Sequence, residues 1–322
     1  MKNILIIAKM NLFSKEISQN RYKLLQFLDS QPNIKVIEDL PRHITKTLKK
    51  QAEQGFNVDI IIYYALSSHI KWRDIKTINI HNCNLKKYLF FEDFIHVEKC
   101  VDIFKQYNFD ELIIFQCNSY YIDLYTKKIS KLPLIWNHSI DTEVFKLRNQ
   151  KKKYKLLLYG FCHPELYPIR ARIKFFMKEL LKKYPNTRIK VVEHPGYYNV
   201  NLSKAVVQQD LSKLINESCF TVATSSAAKV FVKKYIEIPL SGSVLVGDIP
   251  DGYRDLLKNN IVEIPKLTKN DDIFKKILDI INGKYDYMLN QERIDNFAET
   301  IKSKYSYEQG YNKLLQILNI SR

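Results

Sequence analysis

No run of about 18 apolar residues occurs anywhere in the 322 residues, so no segment reads as a membrane-spanning helix. Cysteine is scarce and scattered. The five thiols, Cys83, Cys100, Cys117, Cys162 and Cys219, are odd in number and show no C-x-x-C spacing. That pattern excludes a disulfide framework and a zinc site, and it predicts a reducing compartment, the cytoplasm. The phosphate loop G-x-x-x-x-G-K-[ST], the fingerprint G-x-G-x-x-G, the H-E-x-x-H helix, the G-x-S-x-G elbow and the EF-hand loop are all missing, which removes the classes they mark. The D-x-D triplet that holds a metal against a diphosphate is missing too, because Asp248 and Asp251 lie too far apart and Asp271–Asp272 are adjacent. The reading therefore requires no metal and no cofactor.

Acidic residues are in short supply, 34 against 51 Lys and Arg, for a net charge of +17. Residues 1–150 carry an excess of six basic groups and residues 151–322 an excess of eleven. Such a chain attracts something anionic: a nucleoside diphosphate, an acidic glycan, a membrane surface or a nucleic acid. Biased codon usage in a chain rich in Lys, Asn, Ile and Tyr is the plainer source of part of this charge. The hydrophobic share of 46% and charged share of 26% are those of a soluble globular protein. The length suffices for two domains with separate cores. The opening MKNILIIAKMNLFSKE reads as a first strand, since its apolar run is short and no A-x-A cleavage site follows.

Strand and helix signals alternate along the chain. In the first half, strands are expected at 3–8, 34–37, 58–64, 76–80, 87–91, 111–115 and 132–136, with helices at 20–29, 45–54, 96–107 and 120–129. The basic stretch 146–155, KLRNQKKKYK, reads as a linker. Strands at 154–159, 187–193, 220–224, 243–247 and 261–264 then alternate with helices at 170–183, 210–217, 229–238, 251–259 and 271–282. A helical tail at 288–318 closes the chain. This alternation predicts an α/β protein with two Rossmann-like, doubly wound parallel sheets. Two such domains facing each other enclose a cleft, a common place for a small-molecule site.

Residues 229–248, KVFVKKYIEIPLSGSVLVGD, carry the densest chemistry. Lys229, Lys233 and Lys234 lead to Glu237, then to Gly242 and a buried apolar strand. A carboxylate there can accept both hydroxyls of a ribose, and the neighbouring cations can hold a diphosphate; an ordinary αβ turn with a solvated Glu is the bland alternative. Ser225 and Ser226 fall between a strand and a helix, where they cap the helix or hold a phosphate. Gly160 closes the strand YKLLLY and permits close backbone approach. Arg170 and Arg172 suit phosphate oxygens, but at this spacing only one can face a given site. His194, in EHPGY, stands at a strand end. In the first half, FFEDFIH offers Glu92, Asp93 and His96, with Asp93 either a general base or a helix cap. His69 and His138 are weaker candidates of the same kind.

Three stretches resemble the GT-B glycosyltransferases of the large group 1/4-like clan, in its short bacterial and viral form. Residues 137–145, NHSIDTEVF, resemble the clan's interdomain segment; residues 157–174, LLYGFCHPELYPIRARIK, its first donor-domain strand, glycine loop and helix; and residues 224–248 its donor helix. The terminal KYSYEQGYNKLLQIL resembles the last helix, which in this fold packs back on the first domain. The likeness covers 137–318 well and the first 136 residues by topology alone. It implies an acceptor-side domain at 1–145, a donor domain at 146–303, and a helix at 304–322 returning to the first. It also implies a sugar transferase using a UDP- or GDP-sugar, with a glycan or other hydroxyl compound as acceptor. Glu237 matches the ribose-binding glutamate. Gly160, Arg170, His194, Ser225, Ser226, Lys229, Lys233, Lys234 and Gly242 surround the donor, and Asp93, with His69 second, is the expected base. The clan's second glutamate, eight residues earlier, is replaced here by Lys229, which can contact the diphosphate instead. Two other classes stay open. A sugar-nucleotide epimerase shares the fold. A nucleic-acid-binding module fits the charge and the 21 tyrosines, but no RNP-like aromatic pair is present.

Overall fold

The computed structural model describes residues 1–8, 19–37, 44–65, 84–92, 95–115, 118–194, 206 and 208–320. The chain divides into two compact units, residues 1–139 with 307–322, and residues 140–306.

The first unit is built on strands β1 (Ile4–Ala8), β2 (Ile34–Ile37), β3 (Ile60–Ala65), β4 (Lys86–Phe91), β5 (Glu111–Phe115) and β6 (Leu134–Trp136), with helices α1 (Gln19–Asp29), α2 (Ile44–Glu53), α3 (Val97–Gln106) and α4 (Ser119–Ile129). All neighbours pair in parallel, in the order β2-β1-β3-β4-β5-β6. The strands ILIIA and IIIYYA are buried along their whole length, as strands covered by helices on both faces must be. The expected strand at 76–80 lies outside the described residues. The closing helix, here α11 (Tyr307–Ile317), belongs to this unit. It inserts Tyr307, Tyr311, Leu314 and Leu315 among Leu24, Leu25 and Leu28 of α1, and Trp136 Nε1 donates 2.8 Å to the Gly310 carbonyl.

The second unit holds β7 (Tyr154–Tyr159), α5 (Pro168–Lys183), β8 (Ile189–Val192), α6 (Gln208–Asn216), β9 (Ser218–Val222), α7 (Lys234–Leu240), β10 (Val244–Gly247), α8 (Arg254–Leu257), β11 (Ile261–Glu263), α9 (Asn270–Ile281) and α10 (Gln291–Tyr305). Its sheet is parallel, in the order β11-β10-β9-β7-β8. One face packs against α5 and α9, the other against α7 and α10. The winding reverses between β7 and β9, and in open α/β sheets the crevice at the carboxyl ends of such a strand pair takes the ligand.

Three boundaries differ from the sequence reading. The units change over at 139/140 and 306/307 instead of 145/146 and 303/304, because Ile140, Val144 and Phe145 are buried in the second unit's core. The stretch 146–155 is not a free linker: Lys152 Nζ donates to the carbonyls of Asn216, Ser218 and Gly242 at 2.8, 3.0 and 2.6 Å, and the Arg148 amide donates to Asn216 Oδ1. The tail at 288–318 is two helices, interrupted where Ser306 adopts an extended backbone.

Candidate functional site

The interior strand β7 ends at Tyr159, and the chain turns at Gly160 with φ +92°, a conformation that favours glycine. A Cβ there would lie 2.6 Å from Lys234 Nζ and 2.9 Å from its Cε. The missing side chain is therefore what admits the lysine. Lys234 begins α7, and its ammonium sits 3.0 Å from the centroid of the Tyr159 ring. Glu237 follows at i+3, on the same face of the helix, and accepts a 2.8 Å hydrogen bond from the Tyr159 hydroxyl at Oε2. Among the described residues, Oε1 of Glu237 has no hydrogen-bond partner, and Lys234 Nζ has neither a hydrogen bond nor an ion pair. Burial, then the Arg170 guanidinium, push Lys234 well below the usual lysine range, with Glu237 and Cys162 opposing. Burial and the Glu237 charge push Tyr159 well above the usual phenol range, so its hydroxyl stays protonated and donates.

Helix α7 is short and anchored at both flanks. Tyr235, Ile236, Ile238 and Leu240 are buried, and the Tyr235 hydroxyl donates 2.7 Å to the Asp248 carbonyl. At its end the Gly242 amide donates to Pro239 O and the Ser243 amide to Ile238 O, with Gly242 at φ +70°. This is a Schellman cap with glycine at its left-handed position.

Arg170, in the first turn of α5, is 2% exposed. Its Nη1 donates 2.9 Å to Phe161 O and its Nη2 2.8 Å to Thr224 O, which ties the loop after β7 to the end of β9 across the winding reversal. The guanidinium lies 4.0 Å over the Tyr167 ring, and its buried Nε has no hydrogen-bond partner. His194, at the end of β8, packs edge-on against Phe161 at 5.5 Å. Burial, then Lys234 and Arg170, lower its pKa. An arginine, a lysine and a histidine thus gather at the carboxyl ends of the strands, where an incoming anion would favour the charged form of Lys234 that burial opposes. Arg170 has no ion pair among the described residues, and Lys234 is likewise without one. Charges so placed attract an anion.

No family model matches this sequence, and no curated protein matches it. Solved structures do. HepE from Anabaena, in complex with UDP and glucose, superposes with a TM-score of 0.56 at 11% identity, over 99% of this chain and 100% of that one. An α,α-trehalose-phosphate synthase (UDP-forming) from Burkholderia xenovorans gives 0.58 at 7% identity, over 98% and 100%. TarM gives 0.54 at 14% identity over 81% of this chain, which spans about half of TarM, 54%. The fold is GT-B.

Within the GT-B frame the predicted residues separate. Gly160, Arg170, His194, Lys234 and Glu237 gather around the end of β7. Arg170 gives two of its five N–H donors to backbone carbonyls and so clamps the loop after β7. Arg172, two residues on, binds Asn270 Oδ1 at 2.7 Å and the Thr268 carbonyl. The helix expected from 229 starts at Lys234, so Ser225 and Ser226 cap no helix. The Ser225 amide donates 2.9 Å to Asp248 Oδ1 and its hydroxyl pairs with Oδ2, while Ser226 Oγ accepts from the Ala228 amide. Lys229 lies in the loop at φ +55°, its ammonium 3.9 Å from the Asp251 carboxylate. Lys233 immediately precedes α7. A Cβ on Gly242 would meet Leu147, Asn216 and Ile294, so its surroundings are those of a helix cap and not of the Lys234–Glu237 pair.

In the first unit, Asp93 and His69 lie outside the described residues. Glu92 is buried and accepts from Tyr64 Oη at 2.8 Å and from Arg21 Nε at 2.5 Å. His96 precedes α3 without capping it, and His138 packs on Phe115 with ring centroids 4.2 Å apart. Sequence reasoning missed Tyr159. It reads as the last apolar residue of a strand, and only its place before the turn glycine hints at more.

Proposed function

We propose that the protein is a glycosyltransferase that takes its sugar from a nucleoside-diphosphate sugar, a UDP- or GDP-sugar, held at the carboxyl end of β7. The observation that carries this reading is the pairing of an unengaged ammonium, Lys234, with a carboxylate one helical turn away, Glu237, both resting on Tyr159. A carboxylate accepts from the two vicinal ribose hydroxyls, and an ammonium three residues earlier donates to the diphosphate. The UDP and UDP-glucose complexes of HepE support a nucleotide-sugar partner.

In the transfer, the bond from the anomeric carbon to the diphosphate oxygen breaks and its electron pair leaves with the diphosphate. Lys234 meets that growing negative charge and stabilises it electrostatically. The acceptor hydroxyl bonds to the anomeric carbon and gives up its proton, to Asp93 in an inverting reaction or to the departing phosphate in a retaining one. With protein cations on the diphosphate, the reaction runs without a metal ion or a cofactor. A glycan or other hydroxyl compound serves as acceptor, and the net charge of +17 favours an anionic one or one presented at a membrane surface. No helix among the described residues is long and apolar enough to cross a membrane. A reducing cytoplasm suits the free Cys100, Cys162 and Cys219.

Calorimetric titration with UDP, GDP and ADP tests the reading. Glu237→Ala should keep its fold and lose about 1.5–3 kcal/mol of affinity for the preferred nucleotide, the range for hydrogen bonds to a charged group. Unchanged affinity in a folded variant would refute the assignment.

A further inference from the structure

We propose that Tyr159 is the positioning residue of this site: through its hydroxyl it sets the Glu237 carboxylate for a vicinal diol, and through its ring face it sets the Lys234 ammonium for a diphosphate. The inference rests on the donor reading above and names the device that gives the two functional groups their spacing.

Lysine and glutamate side chains are long and rotate freely, so a helix bearing both does not by itself hold them in register. Tyr159 does. It ends the interior strand β7, paired in register with Val192 of β8, and is 5% exposed, so its ring is a fixed platform. The hydroxyl reaches Glu237 Oε2 at 2.8 Å, and the face lies 3.0 Å from Lys234 Nζ. One tyrosine therefore contacts both ends of the candidate donor pair. The valences agree with the role. A carboxylate offers about four lone-pair directions. Tyr159 occupies one, which leaves enough for two ribose hydroxyls. An ammonium offers three donors, and a ring face attracts the charge without engaging any of them in a conventional hydrogen bond. Gly160 completes the arrangement, since a Cβ there would come within 2.6 Å of the ammonium and displace it.

Two substitutions separate the two contacts. Tyr159→Phe keeps the ring and removes the hydroxyl; Tyr159→Leu removes both. Each is titrated calorimetrically with UDP, 2′,3′-dideoxy-UDP and inorganic pyrophosphate, beside wild type. Wild type should prefer UDP over the dideoxy compound by tenfold or more. The Phe variant should lose at least fivefold of that preference while its pyrophosphate affinity stays within twofold. The Leu variant should lose about tenfold in pyrophosphate affinity as well. A Phe variant that retains the full preference refutes the role of Tyr159. So does one that weakens all three ligands equally, the result of a merely loosened fold. Wild-type protein that binds none of the three, and neither GDP nor ADP, refutes the donor reading itself, and with it this inference.

Discussion

Gly160→Ala offers the sharpest test of how the site is built. The added methyl has to meet two costs. At φ +92° an L-residue is strained, which costs about 1–2 kcal/mol. The methyl would also sit 2.6 Å from Lys234 Nζ, where ordinary contact begins at 3.4 Å, so the ammonium has to retreat by about 0.8 Å. The neighbour is the tip of a flexible side chain, so the fold survives and the cation gives way. Lys234 shifts on the Tyr159 ring and stays within the reach of a cation–π contact, about 6 Å. The shift spoils its approach to a phosphate, a charge-assisted bond of about 1.5–3 kcal/mol. Denaturant titration should show a folded protein weakened by about 1–2 kcal/mol. Calorimetry should show pyrophosphate affinity falling by about 10- to 100-fold, with uridine affinity nearly unchanged because Glu237 is not displaced. Pyrophosphate affinity equal to wild type would show that the Lys234 position does not matter to an anion, and the reasoning would fail.

Other consequences follow from the same contacts. Arg170→Lys cannot reproduce the fork to Phe161 O and Thr224 O; it should cost about 2–4 kcal/mol of stability in a urea titration, and a loss under 0.5 kcal/mol would contradict a clamp. Burial pulls the Lys152 ammonium down to about 8 from 10.5. Between those pH values the unfolded chain binds more protons than the folded one, so this group's contribution to stability rises with pH from about 8 to 10.5. The stability difference between wild type and Lys152→Met should shift toward wild type by about 1–3 kcal/mol across that window, and a constant difference would exclude the linkage.

Much of the architecture was legible because its causes are local. Apolar runs such as ILIIA and IIIYYA bounded by polar turns predict buried parallel strands without knowledge of their neighbours. The glycine after YKLLLY and the spacing from Glu237 to Gly242 mark a turn and a helix end in the same way. Where the local signal was ambiguous the reading slipped. The helix was expected from 229, yet α7 starts at Lys234, and the Val-Phe-Val of 230–232 favours extended chain. The stretch 140–145 reads as first-domain chain, yet its Ile140, Val144 and Phe145 are buried in the second core, a preference that tertiary packing alone could set.

The candidate site divides along the same line. The residue types were set in the sequence: a carboxylate, cations and a strand-end glycine in an αβ setting. Which of them meet was decided by the order of strands in the second sheet. Tyr159 and Glu237 are 78 positions apart. They touch because α7 enters from the end of β9, the strand beside β7. Arg170 drew notice for its charge, and the fold also uses two of its N–H groups to hold backbone carbonyls. Lys234 was one of four basic candidates, and the space left by Gly160 sets it over the Tyr159 ring. Periodicity and propensity act over a few residues and could state the parts. The contacts between distant segments, and the burial that gives a lone ammonium its force, exist only once the chain has folded.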